Sequence, residues 1–247
     1  DEWAFTNCIN LTSVSFPEVT SIGNGAFNSC TNLTNVNFPK AIDIGASAFY
    51  RTALSIIDGI SDFPAATSIG AYAFDRLTSL ISVSFPEVTS IGDYAFYECI
   101  NLASVSFPKA INTGMSTFMR CSSLTIINGI TDFPMLIEIS WEAFARCTGL
   151  TDVHFPEATT IRGRSFEDCT NLSSVSIPKV RVFPSSSANF HSCPNIKTVT
   201  VAADLSGGLA EANLNFRSGF FAYYIEQGRL AGTYILENST WTGPFEP

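Results

Sequence analysis

The chain has 247 residues, of which 46% are hydrophobic and 14% are charged, and its formal net charge at pH 7 is −9. This composition supplies enough apolar surface for a core and disfavours disorder. The acidic balance argues against nucleic acid and anionic lipid as partners, because both are bound through basic surfaces. No apolar run approaches the roughly 18 residues of a membrane span, so we expect no membrane insertion.

A repeat of 22 to 26 residues runs through the chain from its start. Its pattern is F-x-x-C-x-x-L-x-x-V-x-F-P-x-x-x-x-I-G-x-x-A-F, which the segment from Phe96 to Pro108 shows clearly in its first half. Because the chain begins inside this pattern, we expect a preceding segment to have been removed. The first phenylalanine of the pattern, here called the anchor, recurs as Phe5, Phe27, Phe49, Phe74, Phe96, Phe118, Phe144, Phe166 and Phe190.

Three consecutive repeats form a larger unit. Eleven residues, S-V-S-F-P-E-V-T-S-I-G, occur identically as Ser13–Gly23 and Ser82–Gly92, which are 69 residues apart. Anchor spacings also recur in threes, as 22, 22, 25 and then 22, 22, 26. The spacing therefore indicates duplication of a three-repeat block.

Each repeat predicts one strand and one turn. In L-x-x-V-x-F the apolar residues alternate, which predicts a short strand with Leu, Val and Phe inward. The A-F-x-x-C-x-x-L half has apolar residues at i, i+3 and i+6, which favours a helical or 3₁₀ turn. Proline then ends the first eight strands. Glycines in the turn predict positive φ at Gly23, Gly45, Gly70, Gly92 and Gly114.

Stacking such repeats predicts an α/β solenoid, because one repeat cannot bury its own apolar edge. The period and the strand core are similar to those of leucine-rich repeats. We expect one parallel sheet of nine strands in an array over residues 1–201, with the phenylalanines forming core ladders. Residues 202–247 are predicted to cap it, with a helix over Ala212–Tyr224 and two strands around Glu237-Asn238-Ser239. No matching cap is evident at the N-terminus.

The seven cysteines all occupy one position of the repeat, beside inward Leu and Phe. This placement predicts buried thiols. The odd count and the absence of C-x-x-C argue against a disulfide framework, although neighbouring coils could allow an occasional bridge. Thr52 and Leu77 replace the cysteine in two repeats. The cysteines are Cys8, Cys30, Cys99, Cys121, Cys147, Cys169 and Cys193.

Two columns of charged residues are predicted to pair between stacked coils. The residue after the strand-ending proline alternates in sign, which predicts the pairs Glu18–Lys40, Glu87–Lys109 and Glu157–Lys179. Two residues after the anchor, a second column predicts contacts of Glu98 with Arg76 and Arg120, and of Asp168 with Arg146. The alternative interpretation of the second column is an anion-binding strip.

The half-repeat I-G-x-x-A-F-x-x-C-x-x-L, followed by V-x-F-P, resembles the BspA-type leucine-rich repeat family over residues 3–201. This resemblance implies a secreted or surface-displayed protein of host-associated microbes that adheres to host proteins, cells or matrix. It implies no catalytic residue, and we expect neither a cofactor nor a metal. Repeats three and six depart from the pattern by inserting Asp58–Ser61 and Asn128–Thr131.

These observations predict a non-enzymatic recognition scaffold, monomeric and located outside the cell or on its surface, with extracellular or host proteins as partners. The alternative is a structural spacer that displays another domain. An enzyme is disfavoured. The most distinctive polar pair, Asp152 and His154, lacks the further side chains that a metal or acid–base site would need. We expect partners to bind the concave face, formed by the outward strand residues Ser15, Asn37, Ser84, Ser106, Asp152, His154 and Ser176. The rival surface is the edge that carries the two inserts.

Overall fold

The computed structural model describes residues 1–59, 61–129, 131–181, 188–201, 223–224, 226–227, 231–237 and 240–245. Within these ranges the strands follow the repeats closely. They are β1 (Ser13–Ser15), β2 (Ser21–Ile22), β3 (Asn35–Asn37), β4 (Asp43–Ile44), β5 (Ile56–Asp58), β6 (Ser68–Ile69), β7 (Ser82–Ser84), β8 (Ser90–Ile91), β9 (Ser104–Ser106), β10 (Ile126–Asn128), β11 (Glu138–Ile139), β12 (Asp152–His154), β13 (Thr160–Ile161), β14 (Ser174–Ile177), β15 (Thr198–Val201), β16 (Gly232–Glu237) and β17 (Thr240–Phe245).

The strands form two parallel columns along a solenoid. The front column holds the nine predicted strands, β1, β3, β5, β7, β9, β10, β12, β14 and β15, each with its central Val or Ile pointing inward. A second column of two-residue strands, which the sequence did not predict, contains β2-β4-β6-β8 and β11-β13. Parallel pairing in register, such as Val83 with Val105, confirms the solenoid.

The prediction of one continuous front sheet is wrong. The front column pairs as β1-β3, then β5-β7-β9, then β10-β12-β14-β15. Both breaks fall at the strands that lead into the inserts. There the backbone N–H and C=O of Asp58 form hydrogen bonds within the insert. Asp58 N donates to Asp62 Oδ2 at 2.9 Å, and Asp58 O accepts from Asp62 N at 2.7 Å. Contact with the preceding coil resumes where Phe38 N donates to Asp62 O at 2.8 Å.

The predicted helical or 3₁₀ turn around each anchor is also wrong. N–H groups alternate in their use: Ala26 and Asn28 donate within the coil, whereas Phe27 donates to Ala48 O of the next coil at 2.8 Å. In a helix every backbone N–H would donate within its own coil, and the carbonyl groups of the next coil would receive no hydrogen bond. The alternation requires a left-handed residue two positions before and two positions after each anchor, with φ of 57° at Tyr94 and 55° at Glu98.

The turn glycines allow successive coils to pack closely. They do not have the positive φ that the sequence predicted. None of Gly23, Gly45, Gly70, Gly92 and Gly114 has positive φ. A Cβ added to Gly114 would lie 2.4 Å from Gly92 O, and one added to Gly92 would lie 2.5 Å from Ala71 N. Glycine is required here because backbones of successive coils approach too closely for a side chain.

The core confirms the predicted phenylalanine ladder. Successive anchor rings stack with centroids 5.2–5.5 Å apart and with ring planes within 11° of parallel. A second ladder is formed by the phenylalanines at the strand ends, for example Phe85 and Phe107 at 5.8 Å. Phe5 and Phe16, in the first coil, are only partly buried because no described coil covers them. Burial of these rings is the main stabilising contribution to the stack.

A hairpin ends the described structure, as the sequence predicted. Strand β16 pairs antiparallel with β15, and β17 pairs antiparallel with β16. The hairpin brings Tyr234 and Trp241 into the core, where they are 0% and 4% exposed. The predicted helix over Ala212–Tyr224 lies outside the described residues except for Tyr223 and Tyr224. The division into an array and a capping segment therefore stays a prediction.

Candidate functional surfaces

The seven predicted binding residues all lie on the outward side of the front column, here called the strand face. They fall into three groups that the sheet breaks separate. Asn37 Nδ2 donates to Ser15 Oγ at 3.2 Å in the first group. Ser84 is in register with Ser106 in the second, which borders a depression of about 350 Å³. His154 is in register with Ser176 in the third.

Asp152 and His154 share one side of β12, as their spacing predicts. Both are half-buried, and Val153 between them is buried. Their strand neighbours are Ile126 and Asn128 on one side and serines on the other. Among the described residues no group of three or more His, Cys, Asp or Glu could hold a metal ion. The pair is thus a distinctive polar feature of the strand face.

The strand face is less polar than the sequence analysis indicated. Ile56 and Ile126 are outward residues of β5 and β10, and they are 60% and 57% exposed. Each begins the strand that leads into an insert. The two inserts share one geometry, since Asn128 N donates to Asp132 Oδ2 at 2.9 Å, as Asp58 N does to Asp62.

The cysteine column carries hydrogen bonds, not disulfides. All seven cysteines are free, as predicted. Those after the first donate their S–H to the anchor carbonyl of the preceding coil, for example Cys121 Sγ to Phe96 O at 3.2 Å. Burial raises the pKa of Cys147 and Cys193 to about 12, so these thiols stay protonated. Cys8 is exposed, against the prediction that all seven face inward, because no described coil precedes it.

Thr52 maintains the hydrogen bonding where the cysteine column is interrupted. Leu77, in the following coil, cannot donate to Phe49 O. The hydroxyl of Thr52 donates to that carbonyl at 3.0 Å from within its own coil. Thr52 thus supplies the donor that Leu77 lacks. Phe27 O, the acceptor expected for a cysteine at position 52, accepts from Cys30 N at 3.1 Å within its own coil.

Both predicted charge columns are present. Lys40 and Lys179 lie 2.7 Å from Glu18 and Glu157, and Lys109 contacts Glu87. These pairs are exposed, so each stabilises by only about 0–1 kcal/mol.

In the second column, Glu98 receives hydrogen bonds from Arg76, at 2.9 Å, and from Arg120, while Arg146 lies 3.3 Å from Asp168. Partial burial works to raise the pKa of Glu98, but the hydrogen bonds from Arg76 and Arg120 outweigh it and lower that pKa. The predicted contacts within this column are therefore confirmed.

A cluster of four tyrosines was missed by the sequence analysis. Tyr50, Tyr72, Tyr94 and Tyr97 line a pocket of about 570 Å³ in the turns of three adjacent coils; we call this the tyrosine pocket. The rings of Tyr72 and Tyr94 stack at 4.8 Å, and Tyr97 meets Tyr94 edge-on at 5.8 Å. The signal was available, since every tyrosine before residue 223 falls in these three turns at positions flanking an anchor.

Asp75 is the buried member of the pocket lining, at 5% exposure. Its Oδ1 has no hydrogen-bond partner among the described residues. Burial is the main cause that raises the pKa of Asp75 to about 7, with Glu98 adding to it and with Arg76 and Arg51 opposing it. An unpaired buried carboxyl is unfavourable for folding, and a buried polar group without a partner often marks a functional position.

Comparison with known proteins places this geometry in a family. The profile of the BspA type leucine rich repeat region matches six copies, over residues 60–132 and 115–208. The chain belongs to the BspA-type leucine-rich repeat family. The family consists of interaction scaffolds, and its repeats correspond to the coils described above. Comparison with curated protein sequences gives no match.

Solved structures include other BspA-like solenoids. A leucine rich cell surface protein from Faecalibacterium prausnitzii is 25% identical with a TM-score of 0.52, and the match covers 84% of this chain and 66% of that one. This BspA-type chain thus spans just under two thirds of that relative. A leucine rich repeat protein from T. pallidum is 22% identical with a TM-score of 0.49, covering 67% and 69%. Within the described residues, no helix of the BspA-type chain has the length and apolar character to cross a membrane.

Proposed function

We propose that this BspA-type chain is a non-enzymatic recognition and adhesion scaffold. It binds extracellular or host proteins at a cell surface and acts as a monomer. The observation that carries the proposal is the contrast between a uniform core and outward columns that change along the stack. The outward positions of β7 and β9 are all serine, whereas β12 presents Asp152 and His154 at the same positions. A rigid stack with variable outward residues suits recognition.

The strand face is the proposed docking surface, through Ser15, Asn37, Ser84, Ser106, Asp152, His154 and Ser176. Solenoids of this kind present an extended sheet to their partners. This face is poor in the Trp, Tyr and Arg that anchor tight interfaces. A single array therefore binds weakly, and display of many copies on one surface raises the overall strength.

A structural spacer is the second candidate, and the uniform serines favour it. Ser13-Val-Ser15, Ser82-Val-Ser84 and Ser104-Val-Ser106 are identical, and a spacer has no need to vary them. The spacer hypothesis predicts no saturable binding to any extracellular protein.

The test is capture of host extracellular proteins on the immobilised soluble array, followed by titration with each captured protein in purified form. Two variants locate the site. One combines Asp152→Ala with His154→Ala, and the other deletes residues 58–61 and 128–131. Weaker binding by the first variant alone supports the strand face. Weaker binding by the deletion alone assigns the site to the insert edge, and no saturable binding by the wild type leaves the spacer.

A further inference from the structure

The two identical eleven-residue stretches separate what the fold needs from what it leaves free. After residue 23 the first copy continues as N-G-A-F-N-S-C, and after residue 92 the second continues as D-Y-A-F-Y-E-C. The inward residues Ala, Phe and Cys are the same. At the flanking positions Gly25, which is buried against the ring of Trp3, and Asn28 stand where the second copy has Tyr94 and Tyr97, so a coil can stack without the tyrosines.

Asp75 shows the same independence from the fold. Three repeats later, Ala145 takes its place beside the anchor, and it is buried in the same way. The stack therefore accepts a small apolar residue there. Since an unpaired buried carboxyl costs stability, its presence in a pocket lined by four tyrosines calls for a reason other than packing.

The charge of the pocket is left partly unmatched. Arg76 is already engaged, because it pairs with Glu98 and its Nη1 donates to Tyr50 OH at 2.9 Å. Arg51 lies over the ring of Tyr50, 5.1 Å from its centroid. These two guanidinium groups do not neutralise Asp75, whose pKa stays raised in their presence. Glu142 adds a second carboxylate to the lining, and it already accepts a hydrogen bond from Ser116 Oγ at 3.1 Å and lies 3.9 Å from Arg164 Nη1.

Tyrosine rings and a buried carboxylate together favour a cation. The face of an aromatic ring attracts a cation through its quadrupole, and the attraction grows as water is excluded. The pocket already shows this preference, since the guanidinium carbons of Arg76 and Arg120 lie 6.0 and 5.9 Å from the centroid of Tyr97. Its volume of about 570 Å³ is within the usual range for ligand pockets.

We propose that the tyrosine pocket receives a basic side chain, lysine or arginine, of a protein partner, with Asp75 as the counter-charge and the four tyrosines as its walls. The inference rests on the proposed function, since it gives the scaffold a second contact point and a class of partner. The net charge of −9 favours approach of the same class of partner.

Binding should depend on pH through Asp75. The charged and titratable groups that face it are Tyr50 and Arg51 from the preceding coil, Arg76 and Tyr72 from its own, and Tyr97 and Glu98 from the next. A bound cation favours the ionised carboxyl. With the pKa of the free pocket at about 7, affinity should be full near pH 8 and fall as the pH drops below 7.

The probe is an acetylated, amidated hexalysine peptide, titrated calorimetrically into the whole array at about 0.15 M salt, where long-range attraction is screened. Three variants are compared with the wild type. Asp75→Asn removes the counter-charge, and Asp43→Asn makes the same charge change at an exposed position of β4, outside the pocket and the strand face. The third, Tyr94→Gly with Tyr97→Asn, introduces the residues that repeat two carries at these positions.

We expect Asp75→Asn and the double tyrosine variant each to weaken binding at least about tenfold, and Asp43→Asn to weaken it less than about twofold. Equal losses in the two Asp variants would show general attraction to an acidic protein and overturn the proposal. Unchanged binding by Asp75→Asn would overturn it as well. If a purified partner binds the Asp75→Asn variant as tightly as it binds the wild type, the scaffold function stands and the pocket assignment fails.

Discussion

The turns of repeats two and five have the same inward side and different outward sides. Both bury Ala, Phe and Cys. In both, the anchor N–H donates to a carbonyl oxygen of the next coil, at 2.8 Å for Phe27 and 2.9 Å for Phe96. At the flanking positions repeat two carries Gly25, which is buried against the ring of Trp3, and Asn28, where repeat five carries Tyr94 and Tyr97. Stacking therefore constrains only the inward half of each repeat, and recognition can vary on the other half. The predictions below test how complete this separation is.

Thiol reactivity should separate the first coil from the rest most strongly. Cys8 is exposed, whereas the other six thiols are buried within the stack. In native protein one thiol should react at once, and six should react at least about a thousandfold more slowly, because they wait for opening of the stack. Denatured, unreduced protein should titrate seven thiols; three bridges and one thiol would contradict the hydrogen-bonded column.

Removal of one ladder ring should cost more in the middle of the stack than at its end. Phe96 stacks between Phe74 at 5.3 Å and Phe118 at 5.5 Å. Phe96→Ala should lower the free energy of unfolding by roughly 3–5 kcal/mol. Phe5→Ala, in a half-buried ring with one anchor neighbour, should lower it by less than about half as much. Equal losses, measured by denaturant unfolding, would argue against a shared ladder.

Asp75→Asn should stabilise the array in a pH-dependent way. The folded-state pKa is raised from 3.8 to about 7, so the wild type loses stability as the pH rises between these values. The variant should be roughly 2–4 kcal/mol more stable than wild type at pH 8, with little difference at pH 3.5. Asp152→Asn is the charge-matched control. A stability gain that does not grow with pH would mean that burial of Asp75 has no electrostatic cost.

The smallest effect concerns the interrupted cysteine column. Thr52→Val keeps the volume of the side chain and removes the hydroxyl that donates to Phe49 O. We expect a loss of about 0.5–1.5 kcal/mol. Thr31→Val, on an exposed side chain one coil earlier, is the matched control and should be nearly neutral. A neutral Thr52→Val would show that the compensation with Leu77 is not needed.

The sequence predicted those features that the repeat pattern encodes directly. The nine front strands, both phenylalanine ladders, the free thiols and the Glu–Lys pairs follow from which residue types recur at which position. Backbone geometry was less accessible. Gly92 is a glycine because the neighbouring coil is too close, and a pattern cannot distinguish this from positive φ. The left-handed residues include Arg, Glu and Tyr, which sequence preference would not select.

The tyrosine pocket was overlooked for a different reason. Tyr50, Tyr72, Tyr94 and Tyr97 stand at two different positions of the repeat, so no single column of the alignment contains them all. Their proximity arises only when three coils stack. The predicted binding residues on the strand face could be selected from the sequence because all except Asp152 share one column, and their role stays a prediction.

Quantitative binding of a purified extracellular partner tests the central claim, recognition by the outward half of the repeats, most directly. The wild-type array is compared with one in which residues 93–98 of repeat five are replaced by the Asn-Gly-Ala-Phe-Asn-Ser of repeat two, with folding checked by circular dichroism and thermal melting. Our account predicts a folded array with the same cooperative transition and at least about tenfold weaker binding. Unchanged binding by the folded array would contradict recognition by these turns, and an array that no longer folds would contradict the separation of stacking from recognition.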